Sequence, residues 1–134
     1  MKKNIEEKTK SCLIFNKTKG KLPSLPFCQI KDAILPEDYV VNIIFIDTEF
    51  SKKLNNDYRK KNYATNILSF EIEDNFGEIY ITPKVASTEY QKFSLTYDNF
   101  LIYLLIHGFL HLKGMKHSSM METTEKLFLE KFKI

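Results

Sequence analysis

Apolar positions along this chain fall into short runs of two kinds, separated by polar stretches. Tyr39 to Asp47 (YVVNIIFID) is β-branched and almost continuously apolar, the pattern of a central strand. Asn66 to Ile72 (NILSFEI) and Glu78 to Thr82 (EIYIT) predict two further short strands, joined as a hairpin by a turn across Asp74 to Gly77. Cys12 to Asn16 (CLIFN) predicts an early strand, and the proline-containing GKLPSLP after it a loop. Phe27 to Leu35 suits a helix ahead of Pro36, and the polar TEFSKKLNNDYRKK is helix-compatible. Thr82 is placed to cap a helix whose first residue is Pro83, a position where the missing N–H costs nothing. From Thr96 to Gly114 a helix apolar nearly all round is expected in the middle of the domain. A last helix from Ser118 or Ser119 puts Met121, Phe128 and Phe132 on one flank with Leu127 beside them.

These elements predict an α+β domain over residues 1–134: a small mixed sheet of about four strands packed with about five helices. No repeat or Gly/Ser linker divides the chain, and 134 residues suffice for one core. A 43% hydrophobic and 28% charged composition excludes a disordered chain. The most apolar run, Phe100 to Leu112, falls short of the roughly 20 residues a bilayer requires, so no membrane association is expected. The amino terminus, MKKNIEEKTKSC, has no leader-like pattern, and a cytoplasmic location is expected. In that reducing setting Cys12 and Cys28, not in a C-x-x-C arrangement, read as two ordinary structural thiols.

The net charge of +3 permits a polyanionic partner without demanding one. Of the 20 basic residues 19 are lysine, and the single guanidinium is Arg59. An arginine kept against that background suggests bidentate contact with a phosphate, which lysine cannot make. Lys60 and Lys61 beside it could track a nucleic-acid backbone, although such a pair usually means a solvated face.

The chemistry concentrates in HGFLHLKGMKH, which holds all 3 histidines of the chain: His107, His111 and His117. On a helix, His107 and His111 share one face, with Cβ atoms about 6 Å apart. Gly114 can enter the left-handed conformation, end the helix and turn His117 back toward the other two. A lone histidine on an apolar helix is most often a satisfied core residue. Three at this spacing instead form a set that can hold one zinc ion at the end of a buried helix, leaving a fourth position for water, as catalytic zinc sites do. Such an ion lowers the pKa of its water to about 7. The offsets coincide with the metzincin pattern H-E-x-x-H-x-x-G-x-x-H, but Gly108 stands where the general-base glutamate belongs, which counts against a metalloprotease.

HGFLHLKGMKH resembles the signature H-G-x-L-H-L-x-G-[YF]-D-H of the YbeY endoribonucleases, rRNA maturation factors, with Met115 and Lys116 replacing the aromatic and the aspartate. Leu54 to Phe70 is similar to the family's L-N-x-x-[YF]-R-x-x-x-x-x-T-[DN]-V-L-S-F, with Ile67 as the only change, and Arg59 falls on the family's arginine. Gly77 to Ile81 resembles its G-D-I-x-I strand, and Met121, Glu122 and Glu125 echo a MEXXE motif. The likeness implies one Zn2+ per chain held by His107, His111 and His117, with Arg59 in the substrate groove. It further implies a hydrolase specific for single-stranded RNA, acting on the 16S rRNA 3′ end and in quality control of the small ribosomal subunit, with no DNA partner. Lys116 cannot accept a hydrogen bond as an aspartate would, so weaker zinc retention is expected. Sequence leaves the general base open among Glu49, Asp57 and Glu71. The alternative from another class is a non-catalytic, zinc-stabilised rRNA-binding assembly factor.

Overall fold

The structure, a computed structural model, describes residues 5–9 and 11–132. Residues 1–4, on which the reading of the amino terminus partly rests, lie outside the described residues. Five strands, β1 (Ile5–Thr9), β2 (Cys12–Asn16), β3 (Val40–Phe45), β4 (Ile67–Glu73) and β5 (Phe76–Ile81), form one mixed sheet in the order β1-β2-β3-β5-β4. The chain pairs β2, β3 and β5 in parallel and adds an antiparallel strand at each edge. β1 is the strand beyond the expected four. Its sequence IEEKT is too charged to announce a strand, and it forms by pairing with β2 across a tight turn.

The helices are α1 (Phe27–Ile34), α2 (Thr48–Arg59), α3 (Pro83–Glu89), α4 (Tyr97–Leu112) and α5 (Ser119–Lys131), with a 3-10 turn over Tyr90–Phe93. One face of the sheet presents Val41, Ile43, Phe45, Ile79 and Ile81, all fully buried. α4 lies among these side chains and buries ten of its own residues, which is why its sequence carries no polar face. Each fully buried aliphatic or aromatic side chain contributes about 1.5–3 kcal/mol. No single helix among the described residues is long and apolar enough to cross a membrane.

Four local readings change. The hairpin between β4 and β5 turns on Asn75, which takes the left-handed conformation (φ 61°), while Gly77 belongs to β5. Thr82 precedes α3 without a side-chain cap. On α5, Met121 and Phe128 face the core as expected and Phe132 packs against it, but Leu127 points outward at 61% exposure. Cys12 and Cys28 are not free thiols: they form a disulfide between β2 and the first turn of α1, Cα atoms 5.7 Å apart. Sequence separation alone could not show that the strand and helix pack face to face. Closing a loop of this length stabilises by about 3 kcal/mol, so reduction should lower the urea midpoint, and the freer unfolded chain should steepen the slope. An unchanged midpoint would contradict this.

Candidate metal centre and its groove

The site begins with the end of α4. Thr96 caps the helix start, its Oγ1 accepting from the N–H of Asn99. The helix runs for 16 residues to Leu112 and is closed off at Gly114 (φ 104°), whose N–H donates to the His111 carbonyl while that of Met115 donates to Leu110. Ser118 then starts α5 by accepting from the Met121 N–H. His117 stands in this short link, brought back over the last turn of α4.

The three rings converge. Their centroids lie 4.6 Å (His107 to His111), 4.9 Å (His107 to His117) and 4.6 Å (His111 to His117) apart. One nitrogen from each lies within 4.8 Å of the others, and the Nε2 atoms of His107 and His111 are 3.1 Å apart. Imidazole nitrogens around a tetrahedral ion at about 2.0–2.1 Å stand roughly 3.3 Å from one another, so the set fits a metal ion.

The second nitrogens support this. His107 Nδ1 pairs with Glu125 Oε2 from α5, and the His111 ring hydrogen-bonds the backbone of Met115. With His107 Nδ1 engaged by Glu125, its Nε2 is left to face the His111 Nε2. A cation between them satisfies both nitrogens. Burial, then the neighbouring His107 and His117, push the His111 pKa below its ordinary value, with Met115 and Glu125 opposing. The neutral, ligand-competent form therefore persists to lower pH than for a free imidazole.

Glu125, which the sequence reading names only within the MEXXE echo and gives no role, is the carboxylate that reaches the cluster. It is 6% exposed and occupies the inward stripe of α5 between Met121 and Phe128. A carboxylate at a core-facing position was the available signal. Lys116, by contrast, is exposed. The acceptor for His107 thus comes from α5 rather than from the loop. Glu125→Gln should weaken metal affinity about 10- to 100-fold, as loss of an orienting carboxylate does, with helix content unchanged. Titration with a chromophoric chelator measures it, and wild-type affinity would refute the role.

Gly108 follows His107 for a steric reason. A Cβ there would lie 2.9 Å from Ile67 Cδ1, 3.0 Å from Ser69 Oγ and 3.1 Å from Ile79 Cδ1. The helix touches the sheet at this point, so a protease-type glutamate would have to displace the tips of these three side chains.

The histidines open into a groove of about 650 Å³ that Arg59 and Tyr58 also line, together with Ser69 and Glu71 of the edge strand β4. α2 positions Arg59. Asp47 caps its start by accepting from the Phe50 N–H, and Lys60 ends it in the left-handed conformation (φ 58°). Two buried polar residues of α2 clamp the segment leading to β4: Ser51 Oγ exchanges hydrogen bonds with the Thr65 backbone, and Asn55 Nδ2 donates to the Tyr63 carbonyl. The groove gathers the three histidines and Arg59. Lys60 and Lys61 follow Arg59, exposed and outside the lining. Of the carboxylates left open by sequence, Glu71 lines the groove and Glu49 and Asp57 do not.

An α+β domain with three histidines that could hold a metal ion, in a groove shared with an arginine, is the class that fold and site define. The family model Endoribonuclease YbeY matches residues 5–133, and the chain belongs to that family. It is 40% identical over 96 residues to an Endoribonuclease YbeY of Bdellovibrio bacteriovorus, spanning 70% of this chain and 61% of that protein. It is 33% identical over 113 residues to one of Phytoplasma australiense, covering 78% and 75% of the two chains. The solution structure of TM1509 from Thermotoga maritima superimposes with a TM-score of 0.57 at 30% identity, over 76% of this chain and 73% of that one.

Proposed function

We propose that the groove is the active site of a cytoplasmic, zinc-dependent endoribonuclease specific for single-stranded RNA, acting in 16S rRNA 3′-end maturation and ribosome quality control. The observation that carries the reading is the convergence of three imidazole nitrogens in a groove that also holds the chain's single arginine. His107, His111 and His117 would hold one zinc ion. Such an ion supplies Lewis acidity toward a phosphate oxygen and a water of lowered pKa.

The protein's own groups do the rest. Arg59 offers a planar pair of N–H donors to the phosphate and stabilises charge as it grows on the phosphoryl oxygens. Glu71 is the carboxylate available to take up a proton. Glu125 holds the His107 tautomer by accepting from Nδ1. Lys116 replaces a potential acceptor next to His117, so Lys116→Asp is expected to tighten zinc; unchanged affinity would discard that idea.

The test is cleavage of an end-labelled single-stranded RNA carrying a 16S 3′-terminal sequence. Cleavage should cease on chelation and return with stoichiometric zinc. Zinc-replete protein that binds the RNA without cutting it would favour the assembly-factor alternative.

A further inference from the structure

The sheet face away from α4 carries a row of aromatic rings that begins in the groove. Tyr58 and Phe70 line the groove, their centroids 5.0 Å apart. Phe70 stands edge-on to Tyr80 at 5.8 Å, and Tyr80 is stacked with Phe50 at 6.3 Å. Both ends of the row are open: Tyr58 is 67% and Phe50 45% exposed, whereas Phe70 and Tyr80 are half-buried behind them.

An exposed tyrosine beside Arg59 gains little from folding, since most of its ring stays in water. Its contact with Phe70 fixes the ring plane, which is what a stacking surface needs. The charge around the row is complementary to a polyanion. Lys52, Lys53, Arg59, Lys60 and Lys61 are exposed on α2 and its exit, against Glu49 and Asp57 on the same helix, Glu71 in the groove and Glu78, which accepts from the Tyr80 hydroxyl. Two open rings and the cations of one helix, continuous with Arg59 in the groove, match the chemistry of a single-stranded nucleic acid, whose backbone is anionic and whose bases have flat π faces.

We propose that this row is a base-stacking path, on which a single-stranded RNA leaving the histidines past Arg59 stacks one base on Tyr58 and a more distant base on Phe50. The proposal rests on the ribonuclease reading and adds the element that grips the strand. Phe70 and Tyr80 are backing residues that hold the exposed rings and touch no base.

The test is fluorescence anisotropy with zinc-loaded protein and labelled phosphorothioate oligouridylates, short and long, alongside a ribose-phosphate chain of equal length without bases. Tyr58→Ala should weaken oligouridylate binding about ten-fold and leave the base-free chain unaffected; Tyr58→Phe should restore wild-type affinity. Phe50→Ala should weaken the longer oligomer only. Equal losses on both ligands, or none, would overturn the stacking path. If wild type cleaves RNA while Tyr58→Ala binds oligouridylate normally, the path fails and the ribonuclease reading stands. If wild type binds neither ligand, both fail.

Discussion

His111→Ala is expected to give a folded protein that holds no stoichiometric zinc and has lost RNA cleavage by about 10³-fold or more. His111 sits in the last turn of α4, half-buried, and contributes one of the three converging nitrogens. Alanine is the best helix former, so the helix should persist, and the ring removed points into the groove rather than into the core. What disappears is the third donor. The loss also frees His107 from its neighbour at 3.1 Å, leaving Glu125 to hold a ring that no longer shares a ligand. Metal analysis of the purified variant, circular dichroism and the RNA assay read the three parts separately. Undiminished cleavage by a zinc-free variant would remove the metal from the reaction.

Arg59→Lys should leave metal content and stability at wild-type levels and lower kcat about 10²- to 10³-fold, the usual cost of losing a donor aimed at developing charge. The charge is conserved, so the comparison isolates geometry. Lysine places a compact ammonium where a planar fork had presented two parallel N–H groups. Arg59 is the last residue of α2, exposed, with Lys60 capping the helix behind it, so the fold does not depend on its side chain. A variant with full activity would reduce Arg59 to a surface cation.

The parts of this site legible in the sequence are those defined by local spacing. The i, i+4 pair His107 and His111, and the glycine that returns His117, act within a dozen residues, and local rules suffice for them. The buried α4 and the β4–β5 hairpin were legible for the same reason. What escaped depends on distant packing. Glu125 meets His107 only after α5 folds back on α4, β1 exists only through its pairing with β2, and Cys12 reaches Cys28 only when α1 covers the sheet. The inward stripe of α5 runs through Met121, Glu125, Phe128 and Phe132, so Leu127, next to Phe128 in sequence, turns about 100° away from it into solvent.

The close approach at Gly108 also limits where this chain can go by mutation. Its histidines stand at the offsets of a protease zinc site, with glycine where that pattern has its acid. A Cβ there would come within 2.9–3.1 Å of side-chain atoms of Ile67, Ser69 and Ile79, so gaining the acid requires those three side chains to shift together. Repacking a filled contact between helix and sheet costs stability before any new chemistry is gained. The packing of α4 against β4 and β5 therefore weighs against a change at this position independently of what the groove does.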